Sequence, residues 1–203
     1  MRGALAVGLV AVILTAGCGQ PPQQDVDATK AALEAARTKG AQEYAPEAMK
    51  AAEDSYADLQ AEMDAQAGKF PLFRSYKAAT EKAVAAKAAV DRAQASAQQA
   101  MDLAKTQSTT AIQEGKALLT DTMAMLEKAP KGKGSATDLA ALKTDLDGAG
   151  MSLAQADTLL TTEKYKDALT KAEAAKTAIT SVKTQIEEAM AKVKAPAKAP
   201  AKK

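Results

Sequence analysis

Apolar residues recur along this chain at intervals of three and four, the period of a helix that buries one face. Met49, Ala52, Tyr56, Leu59 and Met63 form one such stripe, and Tyr76, Ala79, Ala83, Ala86, Val90, Ala93, Ala97 and Ala100 form a second that is mostly alanine. Two further seams are unbroken. Leu139, Leu142, Leu146, Ala149, Leu153, Ala156 and Leu160 make the first, and Tyr165, Ala168, Ala172, Ala175, Ile179, Val182, Ile186, Ala189 and Val193 the second. Joined by a turn near Thr161-Thr162, they read as an antiparallel hairpin packed knobs-into-holes.

The pattern predicts five helical segments. The first runs from about Asp25 to Tyr44, with Asp25 or Asp27 as its N-cap. Pro46-Glu47 restart the chain, because proline suits the first helical position and an acid suits the positive end of the macrodipole. Gly68-Lys69-Phe70-Pro71 is a turn. The third segment begins near Leu72 and meets no proline before Pro130, about 57 residues or roughly 85 Å if continuous. Gly115 and the Thr106–Thr110 stretch are the places where it could bend. Lys131–Gly134 reads as a loop, with Ser135 and Asp138 forming an acidic version of a capping box. Phe70 and Tyr165 stand at similar hairpin corners, which suggests an internal repeat of two three-helix bundles sharing the third segment.

The expected fold is therefore all-α: elongated antiparallel helical hairpins or coiled-coil-like bundles sharing one long central helix. Composition agrees. Alanine is about a quarter of the chain, with no tryptophan and no histidine, and alanine is the best helix former because it gives up no side-chain entropy. The segments divide as a signal peptide (1–17), a tether (18–24), an N-terminal bundle with the long helix (25–128), a loop (129–135), a C-terminal hairpin (136–194) and a basic tail (195–203).

Net charge is +2, from 27 basic and 25 acidic residues. Setting aside Arg2 and the five lysines of Ala191–Lys203 leaves 21 basic residues against 25 acidic ones. The body is mildly acidic and carries no basic stripe, which argues against a nucleic-acid partner. The tail, Ala195-Pro196-Ala197-Lys198-Ala199-Pro200-Ala201-Lys202-Lys203, is of low complexity, and its prolines favour an extended, flexible chain.

The N-terminus has the parts of a secretion signal. Met1-Arg2 is cationic, Gly3–Leu14 is apolar and uncharged, and small residues precede Cys18. The apolar run would reach only about 18 Å as a helix, short of a bilayer core of about 30 Å, so it reads as a cleaved signal. Cys18 is the only cysteine, which rules out a disulfide within the chain. Leu14-Thr15-Ala16-Gly17-Cys18 resembles the lipobox of bacterial lipoproteins, with Thr15 where leucine is more usual. The resemblance implies cleavage before Cys18, a diacylglycerol on its sulfur and an N-acyl chain on its new amino group. Gly19 follows, where an aspartate would imply inner-membrane retention in Gram-negative lipoproteins, so the resemblance points to the outer membrane, facing the periplasm.

Catalytic chemistry finds little to use. Histidine is absent and the sole thiol is assigned to lipid. Adjacent carboxylates such as Glu53-Asp54 and Glu187-Glu188 do not face each other on a helix and read as solvated surface. Asp145-Leu146-Asp147-Gly148 resembles part of a calcium loop but lacks its third acid and closing glutamate. Gly148-Ala149-Gly150 lacks the third glycine of a dinucleotide fingerprint, and Gly132-Lys133-Gly134-Ser135 has a phosphate loop's residues in the wrong order. No metal or cofactor site is expected, and no enzyme.

Gly40-Ala41, Tyr44-Ala45-Pro46-Glu47, Ala51, Ala52, Leu59 and Gly68-Lys69-Phe70 together resemble the helical-hairpin domain of unknown function 4398, over residues 40 to about 92. That family is common in exported bacterial lipoproteins, often ahead of an OmpA-like peptidoglycan-binding domain. Pro71-Leu72-Phe73-Arg74 departs from it as an insertion, and no OmpA-like domain follows. Thr162–Ala168 also resembles the second-helix opening of a tetratricopeptide repeat. The chain ends in Lys203, and in this it resembles Braun's lipoprotein, whose C-terminal lysine is joined to peptidoglycan; a linkage through Lys203 is what that resemblance implies.

The expected function is a structural or scaffolding lipoprotein of the cell envelope. It would be held to the membrane by lipid, with peptidoglycan or envelope proteins as partners, and a homo-oligomer is left open. The alternative is an adaptor whose helices hold a peptide or apolar ligand in a groove, with Tyr56, Met123 or Met125 as contacts.

Overall fold

A computed structural model describes residues 20–129 and 135–194, with side chains placed over 20–129 and 139–191. All regular structure among them is helical: α1 Gln23–Thr38, α2 Ala41–Tyr44, α3 Pro46–Ala67, a 3₁₀ turn Pro71–Phe73, α4 Lys77–Glu127, α5 Ser135–Thr161 and α6 Tyr165–Lys194. The chain forms two compact units that meet within α4, between Gln98 and Gln99. The all-α expectation is met, with one long helix common to both units.

In the first unit the expected helix over 25–44 is two helices. Gly40 adopts a left-handed φ of 82°, and α1 closes with Lys39 N–H on the Ala35 carbonyl and Gly40 N–H on the Arg37 carbonyl. α1 also starts earlier than expected, after Pro22, with no side-chain cap. Asp25 lies inside its first turn, where an acid suits the macrodipole, and its carbonyl accepts the Thr29 hydroxyl at 2.7 Å. Pro46 takes the first position of α3.

α1 and α3 run antiparallel. Arg37 bridges to Glu53 at 2.7 Å, and Asp27 faces Tyr56, whose hydroxyl is pushed up in pKa by burial and then by that carboxylate. α4 returns antiparallel to α3, with Ser75 N–H on the Gln66 side chain at 3.1 Å and Lys82 Nζ near the Asp58 carbonyl at 3.4 Å. It runs parallel to α1, where Gln94 donates to the Ala32 carbonyl at 3.2 Å. The start of α1 and the α3–α4 corner therefore lie at the same end of this unit. Its core sets the large side chains Leu33, Met49, Tyr56 and Leu59 against Ala79, Ala83, Ala86 and Ala93, all buried. Small residues facing large ones let the helices interdigitate without voids.

The second unit packs the rest of α4 with α5 and α6. α4 is helical throughout Lys77–Glu127, with no break at Gly115, and the hydroxyls of Thr106 and Thr109 bond back to the Asp102 and Lys105 carbonyls. α4 is 51 residues long, shorter than expected because Pro71–Phe73 and the three residues after it stay outside. Gly115 serves a close approach: a Cβ built there would stand 2.7 Å from Leu153 Cδ2 and 3.3 Å from Lys176 Cγ. Gly150 on α5 receives Leu119 of α4 in the same way, at 3.3 Å. Two leucines thus seat over two glycines in an antiparallel register.

The α5 and α6 seams are buried from Leu142 to Ala156 and from Tyr165 to Ile186. Ala189, expected in the second seam, is exposed, and Met190 packs against the core instead. Between the helices, Glu163 takes a left-handed φ of 61°. Its N–H meets the Leu160 carbonyl and the Lys164 N–H meets the Leu159 carbonyl, the two bonds of a Schellman stop. Tyr165 is buried whereas Phe70 is 65% exposed, so those two corners are not equivalent. Tyr76, buried beside the first turn of α4, is the structural counterpart of Tyr165.

The helical glycines make opposite predictions. Gly148 has open space where a Cβ would go, so Gly148→Ala should stabilise by about 1 kcal/mol through helix propensity. Gly115→Ala gains the same propensity but forces Leu153 aside, and overpacking of about 1–3 kcal/mol should leave it destabilised. Denaturant titration followed by circular dichroism decides the order. Replacing Glu163 by glycine removes an L-residue from the left-handed region and should stabilise by about 0.5–1 kcal/mol after glycine's own entropy loss. An unchanged or lowered melting temperature for Glu163→Gly contradicts the Schellman assignment.

Candidate functional site

The residues assigned a chemical role from sequence, Cys18 and Lys203, lie outside the described residues, as does the tail over 195–203. Among the described residues no group of three or more acidic or sulfur ligands gathers as a metal site, and no helix is long and apolar enough to cross a membrane. Asp145–Gly148 is helical, with Leu146 fully buried and Asp147 bridged to Lys143 at 2.9 Å. Glu53 and Glu187 do not pair with their acidic neighbours; Glu53 is engaged by Arg37. Tyr56 is buried in the first unit, and Met123 and Met125 pack against the second unit's core, so none of the three is a free contact.

The exposed apolar surface is elsewhere. Phe70, Leu72 and Phe73 are 65%, 84% and 76% exposed, next to one another at the α3–α4 corner, with the two rings 6.2 Å apart and tilted. Val84, Leu103 and Met151 are also exposed, but single apolar side chains on a surface need no explanation. Phe70 and Phe73 are both phenylalanines of the chain. Leaving such side chains in water forgoes about 1.5–3 kcal/mol each.

The corner holds them out by polar bonds to its own backbone. Pro71 opens a 3₁₀ turn closed by Phe73 N–H on the Phe70 carbonyl at 2.9 Å. The Arg74 guanidinium folds back over the end of α3, donating from Nε to the Lys69 carbonyl and from Nη2 to the Ala67 carbonyl, each at 2.9 Å. Beneath it the buried Gln66 side chain accepts Ser75 N–H and donates to Glu62 Oε1 at 2.7 Å. Tyr76 then turns inward to the core. Lys69 and Lys77 flank the tip, both exposed, and no acid occurs from Lys69 to Thr80. The result is an ordered apolar tip with a basic rim.

Sequence reading found the turn but not its exposure. A signal was there: two phenylalanines and a leucine in four residues, outside any three-four stripe, in a chain otherwise poor in aromatics. Removing the Arg74 side chain should free two helix-end carbonyls and loosen the corner by about 1 kcal/mol. In Arg74→Ala the amides of Phe73 and Ser75 should exchange hydrogen faster while that of Leu59, deep in α3, keeps its protection. Equal exchange in both proteins would show that the guanidinium does not hold the turn.

No family model, no curated protein and no solved structure matches this chain.

Proposed function

We propose that the protein is a membrane-anchored structural or scaffolding lipoprotein of the cell envelope, fixed through lipid on Cys18 and facing the periplasm from the outer membrane. One observation carries the reading: the apolar run Gly3–Leu14 followed by Thr15-Ala16-Gly17-Cys18 and then the polar tether Gly19–Gln24. A diacylglycerol and an N-acyl chain together hold far more firmly than the single chain whose binding is marginal. The two helical units supply the body, and the basic tail, with Lys203 as the candidate for linkage, engages peptidoglycan or envelope proteins.

The alternative, an adaptor that binds a peptide or apolar ligand, is favoured by a groove between α5 and α6 floored by Gly148, Ser152, Ala174, Ala178 and Ser181. Such small residues would admit a helix. Filling it with Ala178→Leu disables an adaptor and spares a scaffold, whereas deleting residues 195–203 does the reverse.

Expression in a bacterial host fed an alkyne fatty acid tests the anchor. The wild-type chain should take up label, fractionate with membranes and give a mature N-terminal peptide beginning at acylated Cys18. Cys18→Ser should lose the label and that processed peptide. Unlabelled, unacylated wild-type protein in the soluble fraction would overturn the reading.

A further inference from the structure

We infer that the corner Phe70-Pro71-Leu72-Phe73 is a second membrane contact, a phospholipid-inserting tip that lies down on the same bilayer that carries the Cys18 lipid. The inference rests on the lipoprotein reading and adds to it a surface that reading does not require.

Position is the first argument. α1 starts at the end of its unit where the α3–α4 corner projects, because α1 and α3 are antiparallel. Any chain entering α1 at Gln23 therefore arrives at the corner's end. Distance is the second. Gln94 of α4 donates to the Ala32 carbonyl of α1, which sets Gln23 level with about residue 85 of α4, and the stretch from there back to the corner at Tyr76 projects about 13 Å further. From Gln23 back to Cys18 is five residues, which span at most about 17 Å. With its sulfur held at the lipid surface, Cys18 lets the start of α1 stand off by at most about 17 Å, a height close to the corner's own overhang. The tip reaches the headgroups.

Chemistry is the third. Two phenylalanines and a leucine, exposed together, suit the boundary between headgroup and acyl chain, where a partly apolar, partly wet surface buries about 5–10 Å deep. Lys69 and Lys77 flank them, with no acid between Lys69 and Thr80, and lysines at that depth extend their ammonium groups to anionic headgroups. The Arg74 and Gln66 bonds pre-form the tip, so insertion orders little that is not already ordered. A protein partner would find the same apolar residues but would not explain why they stand at the anchored end.

The chain has no tryptophan, so Phe73→Trp in the full-length, processed protein installs a single fluorophore at the tip, and Gln42→Trp, exposed at the opposite end of the same unit, is its control. Both proteins are reconstituted into phosphatidylcholine vesicles containing phosphatidylglycerol and lipids brominated near the headgroup, and the Cys18 peptide is read by mass spectrometry. The F73W emission should be blue-shifted and quenched at least twofold more than that of Q42W. If Cys18 is acylated but F73W is quenched no more than Q42W, the tip proposal fails and the anchor reading stands. If Cys18 carries no lipid, the anchor reading fails and the proposal falls with it. A blue shift that grows with protein concentration, without bromine quenching, assigns the corner to a second copy of the chain and overturns the lipid assignment.

Discussion

The close approach of small residues is the constraint on which the rest of this structure depends. An alanine or glycine at a helix contact brings the neighbouring axis in, and the partner must then supply the volume. In the first unit α4 contributes Val90 and otherwise mostly the Cβ atoms of Ala79, Ala83, Ala86 and Ala93, while Met49, Tyr56 and Leu59 are buried on α3. In the second the same rule reaches its limit, with Leu153 seated over Gly115 and Leu119 over Gly150. Interiors of this kind accept Met, Leu and Ile, the largest side chains that are fully buried among the described residues. Neither phenylalanine is taken in. The exposed corner follows from its own turn and not from a core too thin for rings, since Tyr44, Tyr56, Tyr76 and Tyr165 are all buried.

The buried threonine and serine hydroxyls on these faces are satisfied within their own helices. Thr29, Ser108 and Thr122 are buried, and each hydroxyl bonds a carbonyl one turn back in its own helix, so they pack as small apolar residues would. Charges are kept to the rim and used there in one repeated way. Arg37 is shared by Glu34 of its own helix and Glu53 of the next, and Lys176 by Glu173 of its own helix and Glu114 of α4. The hydrogen bond to Glu114 leads in raising the Lys176 pKa. Exposed pairs of this sort add little stability. Their effect is on register: each ties one helix to a particular height on another, which small smooth faces do not define well by themselves.

Much of the helical order was legible because the three-four spacing survives every packing detail. Leu139 to Leu160 and Tyr165 to Ile186 stand as seams just where the pattern put them, partly or fully buried. What was not legible turned on backbone conformation and on distance. Gly40 looks tolerable inside a helix until its left-handed φ is seen to end α1, and Gly115 looks like a hinge until Leu153 is found above it. The 3₁₀ turn at Pro71–Phe73 delayed α4 because Arg74 and Gln66 hold the corner by bonds between side chain and backbone, and periodicity carries no trace of these. For the same reason periodicity marks that corner only as a turn, although the crowding of its apolar residues stands in the sequence.

Gly40 also connects the break in the first helix to the geometry of the anchored end. By stopping α1 at Thr38 and letting α2 and Pro46 reverse the chain, it sets where α1 lies along the longer α3. A continuous helix to Tyr44 would slide that alignment by up to six residues, or about 9 Å, and move the start of α1 relative to the corner by the same amount. The overhang of the α3–α4 corner beyond Gln23 is thus a consequence of one left-handed residue at the other end of the unit. Pro21 and Pro22 fix φ in the short segment before α1, and the Gln23 N–H closes a turn on the Pro21 carbonyl at 2.8 Å, so its reach is shorter than its contour length. A tether of that length and an overhang of that height are two outcomes of local chain geometry, and their agreement is what places the apolar tip within reach of the surface that would hold Cys18.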